Sequence, residues 1–461
     1  MNTPILSHTF GNGLVLVAEP LVSLESAAFT FLVPAGCVYD PPDRSGLSGF
    51  TCEMVLRGAG GRDSRRFILD LDNLGVERHE SVSAAHVSFS GATVSENLPA
   101  ALAIYADMLR FAHLPAEQLE PSRQVMFQEL RAVEDEPAQK VMIQLRRRHY
   151  GDPWGRPSQG EQQALEAATL DDIRPYFQQR YRPNGTILGV AGRFDWQELQ
   201  EAVGRLLGDW QPGEPPQIVE QPPGPKYEHL AYQSSQTQIG IAYPSVPYRH
   251  PDYFQAWGAV GALSGGSSAR LFTEVRERRG LCYSVHASYS TLRDRGGVFC
   301  YAGTSADRAQ QTLDVVLGEL SRLAQGIEDS ELDRLKARIK STLIMQQESS
   351  AARSSTVARD WYHLGRARTL DELERLVDRL SAGSINAYLA EHPPGDFIVV
   401  TLGPRELEVA GDESEQRGER GEGRPDGGGH RVESGEPRAE NRERGRESGE
   451  TPDHEIPNPK S

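Results

Sequence analysis

"FTEVRERRGLCYSVHASYSTLRDRGGVFCYAGTSADRAQQTLDVVLGEL", Phe272 to Leu320, follows a fixed order. A helical run ends at a glycine turn, strands with period-two alternation come next, and an amphipathic helix closes the stretch. "FILDLDNLGVERHESVSAAHVSFSGATVSENLPAALAIYADML", Phe67 to Leu109, repeats that order. Long helical regions follow, Ala116 to Arg148 in one case and Glu328 to Gln347 in the other. Each copy then closes on an apolar strand ending in glycine, "TILGVAG" before Arg193 and "FIVVTLG" before Pro404. One α+β unit therefore occurs twice. Alternation such as "HVSFSG" and "VFCYAG" predicts mainly antiparallel sheets with one face covered by helices.

The boundaries come from composition. "GDWQPGEPPQIVEQPPGPK", Gly208 to Lys226, carries six prolines, which excludes regular helix or a central strand and favours a stiff extended connector. From residue 410 onward few apolar side chains remain, too few to offset the entropy of ordering. The expected organisation is a first half over 1–207, a linker over 208–226, a second half over 227–409 and a disordered charged tail over 410–461.

Several function classes drop out at this level. A net charge of −16 argues against a nucleic-acid partner, because phosphate binding needs clustered Lys and Arg. No stretch of eighteen apolar residues offers a membrane span, and "MNTPILSHTF" lacks the basic and apolar regions of a signal peptide. Cys37, Cys52, Cys282 and Cys300 form no C-x-x-C pair and read as reduced, buried thiols, so the cytoplasm is the expected location.

Five stretches in order now carry a resemblance. "FGNGLVLVAEP", "VPAGCVYDPPDRSGLSGF", "HYGDPWGRPSQG", "LDDIRPYFQQRYRPNGTILGVAG" and "SSARLFTEVRERRGLCYSVHAS" together resemble the pitrilysin, insulinase and mitochondrial-processing-peptidase family of zinc metallopeptidases, the inverzincins. The similarity runs from about Phe10 to Leu402. It implies two sheet-and-helix halves that help to enclose a chamber for unfolded peptides.

The family's inverted motif H-x-x-E-H places two imidazoles one helical turn apart with a glutamate as general base, and a distant glutamate completes the zinc ligands. On "GLSGFTCEMVLRG", Gly46 to Gly58, the histidine places fall on Gly49 and Glu53, and the base place on Cys52. The distant ligand place falls on Glu129 and alone keeps its type. No two of the twelve histidines stand four residues apart, so no displaced pair is visible. A packing helix without metal is the leading expectation. A Cys52/Glu53/Glu129 metal site in an autonomous peptidase is the alternative.

Arg276 and Tyr283 stand seven residues apart across a helix end and Gly280. Composition alone leaves them a solvated helix charge and a half-buried strand aromatic. The resemblance implies more: a family pair at this spacing reaches from the second half towards the metal site and contacts substrate, one residue by permanent charge and the other by a phenolic donor. The expectation is a non-catalytic partner subunit of a heterodimeric zinc peptidase. This chain would bind no zinc, the paralogous partner would carry it, and Arg276 and Tyr283 would act in trans on unfolded peptide. A structural scaffold and a peptide-capturing protein that adds peptides to a sheet edge are the rival classes. His79 and His86 read as ordinary polar positions on opposite strand faces. The Gly265–Ser268 loop reads as a turn that could face substrate, without the P-loop lysine or the Rossmann spacing.

Overall fold

The structure, a computed structural model, describes residues 4–409; the expected disordered tail over 410–461 lies outside the described residues. The first half runs β1 (Leu6–Thr9), β2 (Val15–Pro20), β3 (Ser26–Val33), α1 (Leu47–Val55), a hairpin of β4 (Gly58–Ala59) and β5 (Arg62–Asp63), α2 (Ser64–Asn73), β6 (Glu77–Val82), β7 (Val87–Val94), α3 (Leu98–Phe111), α4 (Leu119–Glu134), α5 (Pro137–Tyr150), α6 (Gln162–Ala167), α7 (Leu170–Arg180), β8 (Ile187–Gly192) and α8 (Trp196–Leu207). No helix or strand lies between Leu207 and Tyr227. The second half runs β9 (Tyr227–Ala231), β10 (Gln236–Ser245), α9 (Tyr253–Ser264), β11 (Cys282–Thr291), β12 (Gly296–Ser305), α10 (Ala309–Arg322), α11 (Asp329–Gln347), α12 (Ser350–Leu364), α13 (Leu370–Arg379), α14 (Ala382–Glu391) and β13 (Ile398–Gly403).

The sheets share one topology. The first has the order β1-β2-β8-β3-β7-β6 and the second β11-β12-β10-β13-β9. In each, the closing strand (β8 or β13) slots between an early strand, with which it is parallel, and the next strand, with which it is antiparallel. Matching neighbours pairs β2 with β9, β3 with β10, β7 with β12 and β6 with β11. The α+β duplication expected from the sequence is thus the fold. Helices α1 and α9, and likewise α4 and α11, occupy equivalent places.

Each half also lends a helix to the other. The helix α5 packs on β10 and β13, while α12 packs on β8, β3 and β2. Val141, Leu145 and Tyr150 of α5 join Ala242, Phe299 and Val400 in one apolar cluster, and Val357 and Ala358 of α12 join Val17 and Ile187 in another. Both helices are bounded locally: Pro137 opens α5, and the Ser349 side chain accepts the Ala352 N–H at 3.2 Å to cap α12. Glycines in the receiving strands permit the approach. A Cβ at Gly189 would lie 2.3 Å from the Ser354 carbonyl oxygen, and one at Gly240 would lie 2.7 Å from Val141 Cγ1.

His86 does not follow its expectation. Strand β6 ends at Val82, and His86 falls in the tight turn before β7, buried against the edge of Tyr362 with ring centroids 4.4 Å apart. Its burial depends on α12, which comes from the other half. All four cysteines are free and buried.

Candidate functional site

Helix α1 starts where the sequence places it, and its start is fixed by a side chain. The Asp40 carboxylate accepts the backbone N–H groups of Gly46 and Ser48, each at 2.8 Å, and the Ser48 hydroxyl at 3.2 Å. These bonds satisfy donors that a helix start leaves open. Every residue of α1 except Glu53 is buried. Helices α4 and α7 and edge strand β6 pack against it.

At Gly49 the first imidazole's space is taken. A Cβ there would sit 3.0 Å from Met126 Cε and 3.1 Å from the Ser158 carbonyl oxygen. Cys52 is buried, and its thiol is pushed well above the usual range, first by desolvation and then by Glu80, Glu53 and Glu129. Burial raises Glu53, against the pull of Arg57, with which it forms an ion pair one turn on. Burial also raises Glu129, and the Glu53 charge adds to the shift. The structure therefore brings Cys52, Glu53 and Glu129 into one neighbourhood and adds Glu80 from β6. Sequence reasoning missed Glu80, because only the lie of β6 over α1 places it there. Its visible signal was the alternation "ERHES" (Glu77–Ser81), in which Arg78 and Glu80 point the same way and pair at 3.1 Å.

These residues do not fit zinc. Zinc takes deprotonated thiolate, imidazole or carboxylate donors. Here Gly49 offers no donor, no imidazole stands on α1, and the Glu53 carboxylate is engaged by Arg57. Among the described residues, no group of three or more His, Cys, Asp or Glu side chains is arranged to hold a metal ion. A direct consequence concerns reconstruction. Gly49→His forces an imidazole into space held by Met126, and overpacking of this kind costs about 1–3 kcal/mol. The urea midpoint should fall accordingly, and adding zinc should not restore it. Pairing Gly49→His with Met126→Ala should recover part of the loss.

The second half presents the other expected pair. Arg276 lies in a π-helical turn, Phe272–Glu277, and its guanidinium sits 4.8 Å from the ring centroids of both Phe272 and Tyr283. Tyr283 follows the glycine turn on β11, an edge strand. The register with β12 slips between Cys282 and Ser284, leaving Tyr283 as the extra residue of a bulge. It is 83% exposed, not half-buried as a regular strand position suggested. Bulges re-aim side chains, and π-turns recur at functional sites. Both irregularities fall on these two residues. The stacked, charged guanidinium and the free phenol can together donate to a carbonyl or oxyanion. One buried acid organises the surrounding arginines: Glu274 accepts from Arg278 at 2.5 Å and from Arg279 at 2.7 Å.

Comparison with known proteins agrees with this architecture. Residues 18–158 match the model described as insulinase, peptidase family M16, and residues 167–339 match the model described as the peptidase M16 inactive domain. An uncharacterized zinc protease of Bacillus subtilis, YmxG, is 25% identical over 87% of this chain and 98% of its own length. An uncharacterized zinc protease of Rickettsia felis is 23% identical over 81% of this chain and 91% of its own. Among solved structures, a peptidase M16 inactive domain from Pseudomonas fluorescens matches with a TM-score of 0.80 and 20% identity, covering 88% of this chain and 99% of that one. A chain of complex III2 from Candida albicans matches with a TM-score of 0.75 and 18% identity over 87% of this chain and 96% of that one. With a family model on each half, a shared fold and no H-x-x-E-H on α1, the chain belongs to the insulinase family of peptidases, M16, as a member without the zinc motif.

Proposed function

We propose that this chain is the non-catalytic subunit of a two-chain zinc peptidase. It forms one wall of the peptide chamber and lends Arg276 and Tyr283 to substrate bound at a paralogous, zinc-bearing partner. One contrast carries the reading: the metal place on α1 is filled by Met126, while a half-buried Arg276 is stacked on an exposed Tyr283 and each stands on a backbone irregularity. A filled site has no use for activated water, whereas a half-buried cation beside an exposed phenol serves a reaction whose nucleophile comes from elsewhere. The relatives described as zinc proteases support a proteolytic setting for the assembly. The partner's zinc would supply the activated water. This chain's part would be to hold the scissile carbonyl, with Arg276 charged throughout and Tyr283 donating as negative charge develops on oxygen. No helix among the described residues is long and apolar enough to cross a membrane; we place the pair in the cytoplasm.

A scaffold role is the second reading, favoured by the likeness to a chain of complex III2. The two separate in one experiment. The chain is co-expressed with an H-x-x-E-H paralogue, and cleavage of an unfolded peptide is measured. Loss of one oxyanion donor lowers kcat by about 10²–10³. Tyr283→Phe with Arg276→Ala should therefore cut the mixture's kcat by at least about a hundredfold without dissociating the pair. A paralogue equally active alone, with no effect of the two substitutions, rejects the proposal.

A further inference from the structure

The duplication gives the cleft around α1 a twin. In the second half, α9 stands for α1, α11 for α4 and edge strand β11 for β6. In the first half Met126 of α4 stands against Gly49 of α1 in that space. In the second it is hollow. A cavity of about 380 Å³ lies between α9, α11 and β11, walled by Trp257, Val260, Leu335, Ile339, Leu343 and Tyr289. Its walls are fixed to each other: the Ser264 hydroxyl on α9 accepts the Ala287 N–H of β11 at 2.9 Å, and Gly261 lets α9 approach Leu335 of α11 so closely that a Cβ would lie 2.6 Å from it.

One end of this cavity is apolar and the other is cationic. A second space of about 340 Å³ adjoins it and shares Gly261, Gly265, Leu335 and Arg338; it is lined by the Gly265–Ser268 loop, Arg334 and Glu331. Arg334 and Arg338 stand one turn apart on α11, and a Cβ at Gly266 would lie 3.4 Å from Arg338 Nη1. Neither guanidinium is ion-paired among the described residues. The nearby acid is already engaged: Glu331 takes Arg270 Nε and Nη2 on its two oxygens, each at 2.7 Å. Two unpaired guanidiniums at the mouth of an apolar slot are uncommon on a chain carrying a net −16. They favour an anion and reject a cation.

From this juxtaposition we infer a binding site for an aliphatic carboxylate, its chain in the slot between α9, α11 and β11 and its head on Arg334 and Arg338. The slot suits roughly eight to ten methylenes. The planar carboxylate matches the donor fork of arginine. This site stands independently of the subunit reading, since it uses neither Arg276 nor Tyr283 and needs no partner.

The full-length chain is titrated with decanoate below its micelle concentration. Saturable binding with a change in tryptophan fluorescence is expected, and Trp257→Phe should remove that change. Each buried methylene adds about fourfold in affinity, so octanoate, two methylenes shorter, should bind roughly fifteenfold more weakly. Arg334→Ala with Arg338→Ala should weaken decanoate about tenfold or more and leave decanol unchanged. Ala287→Phe, which fills the slot from the β11 wall, should remove decanoate binding while the thermal melt stays in place. No saturable decanoate binding overturns the inference. So does equal affinity for decyltrimethylammonium, or indifference to the two arginine substitutions. A peptide ending in a free leucine carboxylate that binds with the same arginine dependence, where decanoate does not, overturns it as well.

Discussion

Arg353→Ala is expected to cost about 3–5 kcal/mol of folding stability, because it leaves a buried carboxylate without its counter-charge. Arg353 on α12 is fully buried, and its Nε donates to Glu19 Oε2 on β2 at 2.6 Å. The two residues belong to different halves and are 334 positions apart. Around them the exchanged helix meets the sheet through polar pairs, with Thr30 and Ser354 hydroxyls 3.0 Å apart and Ser26 and Ser350 hydroxyls 3.2 Å apart. A helix seated this way cannot slide without breaking several buried bonds. Glu19→Gln should act in the same direction. The pair itself contributes less than its breakage suggests, since both charges lose hydration on burial. Glu19→Leu with Arg353→Met should therefore recover most of the loss. Arg359→Ala, on the exposed side of the same helix, should stay within about 0.5 kcal/mol of wild type. Urea unfolding of the four variants checks the set. A large loss from the double replacement, equal to that of Arg353→Ala, would refute this account of the latch.

What the sequence revealed followed period and punctuation. Alternation in "HVSFSG" and "VFCYAG", the glycine turns and the twin closing strands are local signals, and they fixed both sheets. The start of α1 was legible for the same reason, while Gly49, Cys52, Glu53 and the α4 residue Glu129 were singled out only by the resemblance to the family's motif. The exchange of α5 and α12 left no such trace. Val141 and Leu145 or Val357 and Ala358 look like any core-facing helix residues, and nothing local says whose core they face. Tyr283 was singled out by the resemblance, but its exposure was not foreseen, because a one-residue slip of register is invisible until the partner strand is in place. Met126 carried no signal at all: its significance is the volume it occupies beneath a glycine 77 positions earlier, 126 minus 49.

The same exchange makes the fold sensitive to acid. His86 and His363 both lie where α12 crosses the first sheet. Burial lowers His86 to about 3, with His363 and Arg293 adding repulsion. Burial also lowers His363 to about 4; Arg359, Arg293 and Arg368 push it the same way and Asp360 opposes them. Tyr362 lies against His86, and Tyr248 against His363 at 4.7 Å. In the unfolded chain both imidazoles titrate near 6.5. Between that value and about 4 the unfolded state holds more protons than the folded one, so stability is fully present above about pH 6.5 and declines as the pH falls. Two such sites approach a slope of about 2.7 kcal/mol per pH unit below pH 6, on the order of 3 kcal/mol between pH 6.5 and 5. Asp40 works in the other direction. Burial raises it to about 7, so its contribution grows as the pH drops through that range and flattens the wild-type profile. The quantity to read is therefore the difference between the wild type and His86→Phe/His363→Phe, measured as urea midpoints from pH 7.5 to 4.5. The double variant should lose much less stability than the wild type on acidification. Parallel profiles would show that neither imidazole stays neutral in the folded chain.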